Sequence, residues 1–209
     1  MLRPLLLAGL IAGLASGAAA ACQSHGRALL DDDFRTPDIG WGKPDQTAAY
    51  GPGGLVLRPP AGSSAWRWNQ NYALARADFC VEVANPATLP SPANEDTVGD
   101  VGIWFWAKDA QNFYTATIAP DGTAAVDRLV GGVWQKVVAP TPAPAINTAP
   151  GAVNEIELVT DGPAARLYVN GSRVADFRGT PPPGGGAPGV YGESGPSPTS
   201  WVFRRVRLY

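Results

Sequence analysis

Apolar and polar positions alternate with a period of two over residues 101–106. Val101, Ile103 and Phe105 fall on one side, and Gly102, Trp104 and Trp106 on the other, as in a strand with two different faces. The polar stretch 108–112 and the pair Asp121-Gly122 are turn signals, so this region reads as strand, turn, strand, turn. Phe79, Val81 and Val83 alternate in the same way against Asp78, Cys80 and Glu82, and Trp66 and Trp68 against small and charged neighbours. Further strands are expected at 29–34, 54–59, 124–130, 133–138, 154–159, 165–169, 172–177, 189–192 and 201–209. Gly131-Gly132 and Asn170-Gly171 sit between such arms, and Asn-Gly is the strongest short hairpin signal. Beyond the first 21 residues no segment keeps a helical period for more than two turns. About ten to twelve short strands punctuated by turns mean an all-β sandwich or barrel.

The N-terminus follows a different pattern. A single positive charge at Arg3, an apolar run over 5–14 and the small residues 16–21 form a secretory signal peptide. The run falls short of the ~20 apolar residues a membrane span needs. Residues 1–21 are therefore expected to be removed, leaving 22–209 as one domain, periplasmic or secreted and monomeric. Cys22, directly after the small residues, leaves a lipoprotein anchor as the alternative. Gly 25 and Pro 21 are high for the length but scattered among apolar segments, which suits many turns rather than disorder. With 16% charged residues, a net charge of −2 and no basic stripe, nucleic-acid binding is not expected.

Candidate chemistry is sparse. The two cysteines, Cys22 and Cys80, most simply form one disulfide in an exported chain, closing a loop long enough to contribute about 4 kcal/mol in the chain-entropy model. The alternative is a free buried Cys80. The one histidine, His25, lies close to the expected mature end, so catalysis through a positioned imidazole is not expected. Nor is a zinc site, with at most two Cys. Among the acids, Glu155 and Glu157 share one strand face, read as solvated. Asp78 and Glu82 share a face with Cys80 and are the candidate catalytic pair. No cofactor is expected, although Asp31-Asp32-Asp33, with Asp96 and Asp100 in a loop, offers hard oxygen ligands that suit calcium.

The aromatic pairs are the best functional signal. Trp66 and Trp68 are expected on one face of one strand, and Trp104 and Trp106 on one face of another, opposite Ile103 and Phe105. Flat indole surfaces beside hydrogen-bonding groups suit the apolar face of a pyranose. Arg67, Asn69, Lys108 and Arg128 are the neighbouring polar candidates. The competing reading buries these indoles under loops. Trp41, Trp134 and Trp201 read as core or edge packing.

The order of motifs Asp32-Asp-Phe34, Gly102-Ile-Trp-Phe105, Asn112-Phe-Tyr114, Gly132-Val-Trp134, Asn154-Glu-Ile-Glu-Leu158, Val169-Asn-Gly171 and Val202-Phe-Arg-Arg-Val-Arg-Leu208 resembles the concanavalin A-like lectin/glucanase jelly rolls. Within them it is most similar to bacterial 3-keto-disaccharide hydrolase-like domains. The resemblance spans nearly all of 22–209 and implies an antiparallel two-sheet jelly-roll β-sandwich with a sugar-binding concave sheet. Two departures stand out. The Glu-x-Asp-x-x-Glu strand of laminarinase-type glucanases is missing, and Arg204 and Arg205 stand where relatives often carry an acid.

Three functions follow in order. The first is an exported carbohydrate-binding, lectin-like domain using Trp66, Trp68, Trp104 and Trp106 with Lys108 and Arg128, its ligand a saccharide or glycoside. The second is a hydrolase or lyase acting on (keto-)glycosides. The third is a non-catalytic structural or interaction domain of the periplasm.

Overall fold

Period-two alternation becomes two stacked antiparallel sheets in the computed structural model, which describes Cys22 and residues 26–209. The expected signal peptide and His25 lie outside the described residues. In chain order the strands are β1 (Leu30–Asp32), β2 (Ala48–Gly51), β3 (Gly54–Leu57), β4 (Ser64–Trp68), β5 (Arg76–Ala84), β6 (Val101–Asp109) and β7 (Asn112–Ile118). They continue with β8 (Thr123–Val130), β9 (Val133–Pro142), β10 (Val153–Asp161), β11 (Ala164–Val169), β12 (Ser172–Arg178), β13 (Ala187–Glu193) and β14 (Trp201–Leu208). One sheet has eight strands in the order β12-β11-β10-β5-β14-β3-β2, with β1 also paired to β14. The other has six, in the order β4-β13-β6-β7-β8-β9. This is the all-β jelly-roll sandwich expected from the sequence.

The core lies between the sheets, where the odd residues of β5 (Phe79, Val81, Val83), Ile156 and Leu158 of β10, and Phe203, Val206 and Leu208 of β14 face Val101, Ile103 and Phe105 of β6 and Tyr114, Ala116 and Ile118 of β7. Trp41 and Trp201 are fully buried in it, as expected. The hairpin turns follow their glycines: Asn170 and Gly171 both take positive φ, as do Gly131 and Gly132, the type I′ signature that matches strand twist. Three elements were not foreseen. β2 is a short edge strand, Ile39–Trp41 forms a single 3-10 turn, and α1 (Glu95–Val98) is one helical turn. The Asn94 side chain caps α1 by accepting from the Thr97 amide while Thr97 Oγ1 accepts from the Asn94 amide.

On the outer face of the eight-stranded sheet Cys22 is buried against β5. Cys22 is disulfide-bonded to Cys80 of β5, with Cα atoms 6.2 Å apart. Beside it Arg207 bridges Glu82 at 2.9 Å and Glu155 at 3.0 Å. Among the described residues no helix is long and apolar enough to cross a membrane.

Candidate functional site on the outer face of the six-stranded sheet

Register places side chains from all six strands in rows on the face of this sheet turned away from the core. Trp68 of β4 stands opposite Gly189 of β13, Gly189 opposite Trp104 of β6, Trp104 opposite Thr115 of β7, Thr115 opposite Asp127 of β8, and Asp127 opposite Lys136 of β9. In the next row Trp66 pairs with Tyr191. Gly189 is needed between the indoles, because a Cβ there would fall 2.4 Å from the Arg67 carbonyl oxygen and 3.0 Å from the Trp68 Cβ. Trp68 and Trp104 consequently stack across it, with ring centres 5.4 Å apart. Trp66 stacks on Trp104 at 5.0 Å, and Trp104 on Phe113 at 3.6 Å. Trp104 is fully buried, whereas Trp66 and Trp68 are partly exposed above it. Burial thus separates them: Trp104 is a buried base, and Trp66 and Trp68 lie partly exposed over it.

Trp106 departs from the expected face. The β6–β7 register shifts after Phe105, and Trp106 takes φ +44°, an unusual backbone for a bulky residue and the mark of a bulge. The extra residue turns its side chain through the sheet into the inter-sheet core, edge-on to Tyr114 at 5.2 Å. Trp104 and Trp106 therefore lie on opposite faces.

The aromatic band continues along the sheet. Phe113 contacts Trp134 edge-on at 5.4 Å, and Trp134 lies 6.4 Å from Tyr191. Trp134, expected as packing, is 46% exposed on edge strand β9. Beside it opens a cavity of about 350 Å³ lined by Trp134, Tyr191, Glu95, Asp100, Asp127 and Glu193, with Thr115, Gln135 and Lys136.

The acids of this cavity come from far apart in the chain. Asp100 precedes β6 and Glu193 ends β13, and the Glu193 amide donates to the Asp100 carbonyl at 2.8 Å, which puts the two side chains on adjacent strands. The Tyr191 hydroxyl donates to Glu193 Oε1. Asp127 pairs with Lys136 at 3.3 Å, and Glu95 sits in the first turn of α1. Burial is the main force on all three strand acids. It raises Asp100 well above the usual carboxylate range, helped by Glu193 and opposed by Thr117. It raises Glu193, with the Tyr191 hydroxyl opposing and Glu95 and Asp127 adding. It raises Asp127 against the pull of Lys136. Burial and the neighbouring Glu193 push the Tyr191 phenol up. Burial thus favours the neutral form of each of these carboxyls relative to a solvated one.

The remaining sequence candidates go elsewhere. Arg67 pairs with Asp45 and donates to the Trp66 carbonyl, and Asn69 is buried against Asp38. Lys108 and Arg128 line a neighbouring depression with Phe113, Tyr114 and Thr180, where Arg128 sits over the Tyr114 ring at 5.2 Å. Asp78 and Glu82 lie on the outer face of the other sheet, Glu82 tied to Arg207 and Asp78 buried beside Cys80. Among the described residues, one group of three possible metal ligands converges within 4.8 Å: Cys22, Cys80 and Glu157. Its two sulfurs are consumed by the disulfide. Of the aspartates suggested for calcium, Asp31 holds Arg205 at 2.7 Å, Asp32 accepts from the Phe34 and Asp38 amides and Trp41 Nε1, Asp33 accepts from the Arg35 amide, and Asp100 lies apart from them in the cavity beside Trp134.

No family model matches the chain, and no curated protein does. Solved structures match its fold. A carbohydrate-binding module, CBM66 of Bacillus subtilis, is 14% identical with a TM-score of 0.61 over 78% of this chain and 91% of the module. A GlcNAcα1-4Gal-releasing endo-β-galactosidase of Clostridium perfringens is 11% identical, TM-score 0.57, over 92% of this chain and 64% of that one. A xylan β-1,4-xylosidase of Bacillus halodurans is 14% identical, TM-score 0.56, over 88% of this chain and 40% of the enzyme. This chain spans under two thirds of either glycosidase. The fold is that of the concanavalin A-like lectin/glucanase jelly rolls.

Proposed function

We propose that this chain is an exported, monomeric carbohydrate-binding domain whose saccharide lies along the outer face of the six-stranded sheet. The observation that carries the reading is the partly exposed Trp66–Trp68 surface on a rigid Trp104–Phe113 base, continuous with a polar cavity walled by Trp134. Indole faces take the C–H face of a pyranose, while carboxyl, Gln135 and Thr115 groups take its hydroxyls. Trp104 acts from beneath by holding the other two rings flat. Lys108 and Arg128, in the adjoining depression, are in place for a longer ligand. A sugar-binding module among the fold neighbours and a disulfide suited to an oxidising compartment support the reading. Its test is a tryptophan-fluorescence titration of residues 22–209 with a panel of neutral oligosaccharides. Saturable binding that Trp66→Ala or Trp68→Ala weakens about tenfold or more is expected, in line with ~1.4 kcal/mol for a lost stacking contact. No saturable change across the panel would remove the reading.

The second reading, hydrolysis or elimination at a glycosidic bond, has one favouring observation: the raised Asp100 and Glu193 carboxyls sit beside the aromatic band, where a general acid is useful. Product analysis on the bound oligosaccharides separates it from binding alone.

A further inference from the structure

The cavity beside Trp134 holds more acidic side chains than a neutral sugar requires. Four carboxyl side chains, Glu95, Asp100, Asp127 and Glu193, line it, and Lys136, the one cation on its wall, is engaged by Asp127. Asp100 and Glu193 stand on adjacent strands, a placement of like charges that destabilises a sheet. Asp100 is only 7% exposed and its Oδ1 has no hydrogen-bond partner. A buried carboxylate oxygen without a donor, opposite a second acid, is an arrangement that a bound cationic donor relieves.

Which cation fits is set by geometry. The four acids do not bring three ligand atoms within 4.8 Å of one another, whereas the disulfide-side group does, so the cavity is not gathered for chelating a metal. It is instead about 350 Å³, the scale of one sugar ring. It is walled on one side by an exposed indole and a phenol ring, which suit an ammonium group through their π faces. It also opens from the same aromatic band that carries the saccharide in the reading above, and the inference rests on that reading. We infer that the cavity selects a hexosamine unit with a free, protonated amine, which Asp100 and Glu193 accept while Trp134 covers the ring. An N-acetyl group would remove the charge and leave one amide N–H where the ammonium offers three donors.

The test compares three oligosaccharides of the same β-1,4 linkage and length: glucosamine, N-acetylglucosamine and glucose oligomers, titrated at pH 6 by calorimetry. The amine oligomer is expected to bind at least tenfold more tightly than either neutral one. Glu193→Gln and Asp127→Asn are each expected to weaken the amine oligomer more than either neutral one, so that the preference falls several-fold, and Trp66→Ala is expected to weaken all three alike. Thermal melting of each variant shows that the fold persists. Equal affinity for the three oligomers would overturn the amine assignment and leave the carbohydrate reading standing. No binding of any oligomer would overturn both. A calcium-dependent rise in melting temperature that Glu193→Gln abolishes would overturn the assignment in favour of a metal.

Discussion

Two buried residues show how environment decides what a side chain contributes. Glu157 was read from its alternation as solvated, yet it is buried on the outer face of the eight-stranded sheet beside Cys80 and Asp78. Burial, then Asp78, pushes its carboxyl up to about 8. Its folded pKa lies above its unfolded value, so the native state holds the proton longer. The stability it contributes is full below about pH 4.5, falls by at most about 1.4 kcal/mol per pH unit, and is lost by the time pH passes about 8. Melting temperatures at pH 5 and pH 9 should therefore differ, and Glu157→Gln should remove much of the difference; parallel profiles for the two proteins would contradict this. Trp104 is the second case. As a fully buried base it should cost about 3–5 kcal/mol when cut to alanine, whereas Trp66→Ala and Trp68→Ala should cost less stability and more binding. Denaturant melts of the three variants separate the roles. The sequence located all three indoles on strands, but only packing across Gly189 distinguishes support from surface.

At the scale of elements, alternation and turn chemistry were legible and departures from them were not. The Asn170-Gly171 and Gly131-Gly132 hairpins follow from residues that tolerate positive φ. The bulge in β6 does not, because no glycine marks it: Trp106 itself takes the strained φ, held by Tyr114 and Phe177 around its ring. β2 was hidden by its composition, Ala48-Ala-Tyr-Gly51, which carries little alternation. The disulfide was legible because a chain with two cysteines has one possible internal pairing. It ties Cys22 to the middle of β5 across 58 residues, and Cys80→Ser with Cys22→Ser should lower unfolding free energy by about 2–4 kcal/mol. A denaturant midpoint unchanged by the double substitution would mean that the N-terminal end adds nothing to the sheet it covers.

For the whole molecule, the two outer faces have become different surfaces. One carries Cys22, its disulfide to β5 and the Arg207 ion pairs. The other exposes a band of aromatic rings ending in an acid-lined cavity. The sandwich was legible in strand spacing, and half of the site was legible in the Trp66–Trp68 pair. The acids of the cavity were not, since residues 95, 100, 127 and 193 meet only through the strand order β13-β6-β7-β8 and the one-turn helix before β6. The catalytic candidates chosen from alternation alone, Asp78 and Glu82, belong to the opposite, disulfide-bearing face. The central claim is that the open face holds a saccharide. The indole N–H signals of the seven tryptophans, followed by NMR during titration with an oligosaccharide, test it most directly. The account predicts progressive shifts for Trp66, Trp68 and Trp134, with Trp41 and Trp201 unmoved; shifts confined to Trp41 and Trp201, or none at saturating sugar, would contradict it.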